Sequence, residues 1–192
     1  HLRTRRQRQM CIRDRPNGLE HAIDLQVEAA QKLGVRAIFT RGSMSLGEDE
    51  GGLPPRHTIQ TEQAIVDDSQ RLIRQYHQHH DGAMTQIALA PCSPFSVTTD
   101  LMKETAYIAA QENVMMHTHL CETLDEEDFC LQKFGLRPVD YLEDVGWLND
   151  RTWLAHGIHF NQEEIRRLGK AGVGISHCPT SNMMLASGIC KN

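Results

Sequence analysis

Five short apolar runs, each closing on or just before a polar or reactive side chain, constrain the fold of this chain more than any other feature. They are VRAIFTR (35–41), MTQIALA (84–90), NVMMHTH (113–119), TWLAH (152–156) and VGISH (173–177). The runs are continuous rather than alternating, which is the pattern of strands buried on both faces of a parallel sheet. Helix-like segments separate them: 17–34, 61–80, 97–113, 124–135 with 137–146, and 161–172. In the last, Asn161 precedes Glu164 by three residues in capping-box fashion. Strand–helix alternation predicts an α/β fold with the five strands parallel and adjacent in chain order, because crossovers between parallel strands are right-handed. A Gly/Pro-rich stretch, 42–57, is long for a plain connection and reads as a functional loop.

The polar residues at the strand ends carry the chemistry. Arg41 closes the first run and Cys92 lies just past the second; His117, His119 and Glu122 follow on the third, His156 on the fourth, His177 on the fifth. In a parallel α/β barrel the C-terminal strand ends open onto one face, where active sites lie. Residues two apart on a strand point the same way, so His117 and His119 share a face. A lone histidine is more often packed or solvated than catalytic, and His77, His79 and His80 read as a solvated helix end. The clusters EDE (48–50) and DEED (125–128) read as solvated turns and a helix start. The recurrence of His119, His156 and His177 at successive strand ends is what points to a site. Neutral imidazole ligates zinc or iron, and a catalytic metal keeps a position open for water. His-x-x-Glu, as in His119 to Glu122, supplies a ligand and a proton carrier together. HExxH is absent, and PCSP lacks the second cysteine of the H-x-E…P-C-x-x-C deaminase pattern.

Composition excludes other classes. A chain of 192 residues is enough for one domain, and a net charge of −5 leaves no basic footprint for nucleic acid. No apolar run reaches the ~18 residues of a membrane span. The six cysteines form no C-x-x-C pair, which suits reduced thiols and a cytoplasmic location. Residues 1–16 differ from the rest. They are rich in arginine, lack the apolar core of a secretory signal, and read as a non-native or disordered basic segment ahead of a domain at 17–192. QMCIRDR resembles translated adapter sequence; a basic arm for an anionic surface is the other reading.

HTHLCET, LAHGIHF and SHCPTSNMMLASGI resemble the amidohydrolase superfamily, in its TRZ/ATZ (cytosine deaminase-like) branch. FTRGSMSLGEDEGGLPP and APCSPFSVT narrow the resemblance toward 8-oxoguanine deaminase-like members. It extends over 17–192 and implies about strands 3–7 of a (β/α)8 TIM-type barrel holding one divalent metal, zinc with iron as the other possibility. By motif, His119 would be a metal ligand, Glu122 the proton carrier, and His156 a catalytic contact to water or substrate. Arg41, Cys92, Glu122 and His156 would face the substrate, with His117, His177, Ser181 and Asn182 in support. The family's strand 1 His-x-His and strand 8 aspartate are missing, so the remaining ligands are expected outside these residues. The resemblance thus implies an internal fragment, inactive alone, of a homo-oligomeric enzyme that deaminates a small aminated heterocycle. The alternatives are a chlorohydrolase or amide hydrolase of the same superfamily, or an inactive truncated chain. A two-metal amide hydrolase would need a bridging lysine, and MTQIALAP has none.

Overall fold

The computed structural model describes residues 21–190. Its single sheet runs β1 (Ala37–Ser43), β2 (Thr85–Pro91), β3 (Met115–Leu120), β4 (Thr152–His156) and β5 (Gly174–Ser176), hydrogen-bonded in that order. Every pairing is parallel. The helices are α1 (Ala22–Leu33), α2 (Glu62–Tyr76), α3 (Thr99–Glu112), α4 (Leu124–Phe134), α5 (Pro138–Asp144), α6 (Gln162–Ala171) and α7 (Pro179–Leu185). The basic segment 1–16 lies outside the described residues. Among the described residues no helix is long and apolar enough to cross a membrane.

Local chemistry explains the elements. The Thr61 and Thr98 hydroxyls accept from Ala64 N and Leu101 N, capping α2 and α3. Asn161 and Glu164 complete the capping box that their spacing predicts on α6. Helix α1 turns Ile23, Val27 and Ala30 inward and ends at Gly34, whose φ of 66° is the left-handed closure glycine favours. Strand ends shift by one or two residues from expectation, and two boundaries have a clear physical cause. Strand β1 continues through Gly42 and Ser43, which pair with Ala90 and Pro91. Helix α2 stops at Tyr76, because the next residues bond to β2 instead. Ile87 N–H donates to His77 Nδ1 (3.0 Å), and Gln78 N–H donates to the Thr85 carbonyl (3.1 Å). His77 therefore fills part of the β2 edge not yet taken by β3, whose pairing begins only at Ala88↔Met115.

One face of the sheet meets the helices. Phe39, Ile87, Leu89, Met116, Leu120 and Leu154 join the core with Leu72, Leu101, Met102, Tyr141 and Trp147. Trp147 is fully buried, and its Nε1–H donates to the Met102 carbonyl at 2.9 Å, satisfying the indole's one polar group. Period-two alternation puts His117 and His119 on the opposite face from Met116 and Leu120. At the outer end of the sheet, β5 is exposed along its length, and Met183, Met184 and Ile189 beside it are exposed by 73%, 67% and 86%. That is apolar surface of the kind a soluble protein covers.

Candidate active site

His119, Glu122, His156 and Asn182 come together at the C-terminal ends of β3 and β4. His119 is buried, and its Nδ1–H donates to the Cys92 carbonyl at 2.6 Å. The same carbonyl accepts the His119 backbone N–H at 3.0 Å. This places the lone pair of the neutral ring on Nε2. A second nitrogen anchored to a backbone carbonyl is how metal-binding histidines are oriented. The His119 and His156 rings lie 5.3 Å apart.

Backbone strain brings His156 into the cluster. It pairs with Leu120 across the ladder, a position that would face the helices, but its φ of 77° is left-handed. Such a conformation is costly for a residue of this size and persists only where its surroundings hold it. Gly157 follows at φ 63°, and a Cβ there would lie 2.6 Å from the Phe160 ring, so only glycine fits the second half of the turn. The turned ring sets Nε2 3.3 Å from Glu122 Oε1. On the other side Asn182 Nδ2 lies 3.2 Å from Nδ1, and is itself held by Ser187 Oγ at 2.9 Å. The nearer amide nitrogen, rather than Oδ1 at 3.4 Å, assigns the amide as donor to Nδ1, which leaves the proton of the neutral ring on Nε2, facing Glu122. Burial lowers the His156 pKa; the Glu122 charge opposes this, and His119 adds to it.

Glu122 is aimed by a second left-handed residue, Cys121, with φ 53°. The Cys121 carbonyl accepts from Ile158 N (2.8 Å) and His159 N (3.1 Å), and Leu120 O from Gly157 N (3.1 Å). The ends of β3 and β4 are thereby laced together beneath the two functional side chains.

The other expected residues are placed differently. His117 stacks on Trp153 at 4.7 Å and 19°, and its Nδ1–H donates to the Trp153 carbonyl at 3.0 Å. Burial pulls its pKa from 6.5 to about 4, so it packs as a neutral ring 5.7 Å from His119. Cys92 reaches the cluster through its carbonyl; its Sγ lies 4.0 Å from His119 Nδ1. Arg41 is buried but turned to the helix layer. Its Nε donates to Asp68 Oδ2 (2.7 Å), its Nη2 to Gln60 Oε1 (2.8 Å), and its Nη1 to the Gly42 carbonyl. His177 follows the last residue of β5 and is exposed, and Ser181 is half-buried on α7.

One residue of the site escaped the sequence reading. Glu126, expected in a solvated helix start, is only 1% exposed and accepts from the backbone of Cys121 and Glu122. The available signal was the Thr123-x-x-Glu126 spacing, which is that of a capping box. Among the described residues no group of three or more His, Cys, Asp or Glu side chains could hold a metal ion. His119 therefore fits one position of a ligand set rather than the whole of it.

The profile of the amidohydrolase family matches residues 11–191. The chain is 68% identical over 175 residues to the 8-oxoguanine deaminase of Pseudomonas aeruginosa, an alignment covering 91% of this chain and 39% of the relative. It is 36% identical to an isoxanthopterin deaminase from an unknown prokaryotic organism, over 85% of this chain and 34% of that protein. Among solved structures, atrazine chlorohydrolase TrzN from Arthrobacter aurescens TC1, complexed with zinc, superposes with a TM-score of 0.83 at 35% identity. That superposition covers 89% of this chain and 38% of TrzN. The chain thus spans about two fifths of the length of the relatives it matches. The parallel sheet in chain order is part of an α/β barrel of the kind the sequence predicts.

Proposed function

The chain belongs to the amidohydrolase family, and on that premise we propose that it forms part of a metal-dependent deaminase acting on an aminated purine-like heterocycle such as 8-oxoguanine. The observation that carries the proposal is the contact between Glu122 Oε1 and His156 Nε2 at 3.3 Å, beside a histidine oriented as a ligand. The 68% identity to an 8-oxoguanine deaminase, against 35% to the triazine chlorohydrolase, favours a C–N over a C–Cl bond as the one broken.

His119 would hold a divalent metal, zinc or iron, through Nε2, together with ligands that are not among the described residues. When bound, that metal supplies Lewis-acid activation of a water molecule. Glu122 then does the proton work. Its carboxylate takes a proton from the water as the water oxygen adds to the ring carbon bearing the amine. It then delivers that proton to the amine nitrogen, the C–N bond breaks and ammonia leaves; the carbon retains the oxygen as a hydroxyl, which becomes a carbonyl as its proton passes to the neighbouring ring nitrogen. The Nε2–H of His156, fixed by Asn182 at Nδ1, donates to the Glu122 carboxylate and holds it in place for the proton transfers. The exposed apolar side chains around β5 and α7 suit a surface that the rest of a barrel covers.

The test is product identity. The full-length enzyme, loaded with zinc, is offered 8-oxoguanine and a chlorotriazine. Release of ammonia from the purine with no chloride from the triazine is expected. Chloride release as the faster reaction would move the assignment to the chlorohydrolases.

A further inference from the structure

Three acidic residues open helix α4, and they are treated very differently. Asp125 is exposed and Glu127 pairs with Arg137, whereas Glu126 is buried, with the His119 ring as the charge that favours its ionised form. Arg137 turns instead to Glu164 (2.8 and 3.2 Å) and Glu127. A buried carboxylate without a counter-ion is costly unless its lone pairs are fully used. The Glu126 oxygens are used by two backbone amides: Oε1 accepts from Cys121 N at 2.7 Å, and Oε2 from Glu122 N at 3.1 Å.

Contrast with α6 shows what is unusual. There Glu164, third in its helix, reaches back to the N-cap amide of Asn161 at 2.7 Å, closing an ordinary capping box. In α4 the N-cap Thr123 makes no side-chain cap, and Glu126, also third, passes over the cap to the two residues before it. Those two are the left-handed Cys121 and Glu122 itself. The Cys121 peptide is thus held on both sides. Its N–H goes to Glu126 and its carbonyl goes to Ile158 and His159, just past His156.

We propose that Glu126 is a positioning residue: its carboxylate clamps the Cys121 and Glu122 amides and so fixes the Glu122 side chain against His156. This rests on the role proposed for Glu122. A carboxylate suits the task because it offers one acceptor oxygen to each amide. Glutamine offers one oxygen, and its NH2 would face the second N–H. Aspartate keeps both oxygens but is one methylene too short. Burial lifts the Glu126 pKa to about 7 against the two amide bonds, so the doubly accepting carboxylate is the prevailing form above that pH.

The test compares Glu126→Gln, Glu126→Asp, Glu122→Gln and the double variant Glu122→Gln/Glu126→Gln in the zinc-loaded full-length enzyme. Each is measured for kcat, KM, zinc content and melting temperature. Misplacing a catalytic group by about 1 Å costs on the order of 10² in rate. Glu126→Gln and Glu126→Asp are therefore expected to lose ~10- to 100-fold in kcat, with KM within about twofold and zinc unchanged. The double variant should be no more than about threefold slower than Glu122→Gln, because Glu126 acts only through Glu122. The inference is overturned if Glu126→Gln keeps kcat within twofold, or if its loss multiplies with that of Glu122→Gln. It is also overturned if both Glu126 variants fail to fold, since the role is then structural. Full turnover by Glu122→Gln would overturn the functional reading and the inference together; a slow Glu122→Gln beside a fast Glu126→Gln overturns the inference alone.

Discussion

Replacing His117 by phenylalanine should remove an acid-sensitive step from the folding equilibrium. In the folded chain the ring lies against Trp153 and donates Nδ1–H to the Trp153 carbonyl at 3.0 Å. Burial first, and the neighbouring His119 second, pull its pKa from 6.5 to about 4, while the carbonyl opposes them. As pH falls the unfolded chain takes up the proton before the folded one. The stability His117 contributes is therefore present above pH 6.5 and is lost as pH falls toward 4. A difference in proton affinity of that size, reduced for partial exposure of the ring, is worth about 2–3 kcal/mol. Glu126 acts with the opposite sign. Its pKa is raised from 4.5 to about 7, so its contribution is present below pH 4.5 and is lost as pH rises through 7. The two effects partly cancel in the natural chain, and a variant is needed to separate them. Phenylalanine keeps the stack on Trp153 but gives up one hydrogen bond, about 1 kcal/mol. His117→Phe should therefore be less stable than the natural chain by about 1 kcal/mol at pH 7.5, and more stable by about 1–2 kcal/mol at pH 4. Urea unfolding of the metal-free protein, followed by tryptophan fluorescence across this range, measures the difference directly. Two stability curves that stay parallel from pH 7.5 to 4 would refute a buried neutral His117.

Two further outcomes test the scaffold. Arg137→Met strips the guanidinium from Glu164, which is 2% exposed, and should cost about 2–3 kcal/mol in urea unfolding; adding Glu164→Gln should restore more than half. The Arg71 hydrogen bond holds the Asp24 pKa at about 2 against the usual 3.8, so its stabilisation is present above pH 3.8 and lost as pH falls through 2. The stability deficit of Asp24→Asn should accordingly shrink between those pH values in acid unfolding.

Much of this architecture is written in local pattern. The continuous apolar runs and the helices between them dictate a parallel sheet in chain order, and Asn161–Glu164 announces its own helix start. His119 and Glu122 are legible because a strand end and a three-residue spacing suffice to place them. What escaped depends on contacts between distant segments or on backbone torsions. Nothing in LAHG states that His156 adopts φ 77° and swings toward Glu122. Arg41 looks like a residue at the mouth of a site until Asp68 and Gln60, from the loop and helix that follow, claim its guanidinium. His77 looks like the tail of a helix until β2 offers it an unpaired amide. Glu126 sits in an acidic run that reads as solvent-facing. Its burial follows from the left-handed Cys121, which turns two amides toward it.

The central claim is that Glu122 carries protons while His119 holds the metal. Glu122→Gln keeps size and shape but cannot accept a proton, and general acid–base groups contribute ~10² to 10⁴ in rate. The most direct measurement is ammonia release together with zinc content in Glu122→Gln and His119→Ala of the full-length enzyme. Glu122→Gln is expected to keep its zinc and lose turnover by that factor, whereas His119→Ala is expected to lose zinc. Turnover by Glu122→Gln at the natural rate, or loss of its zinc, would contradict it.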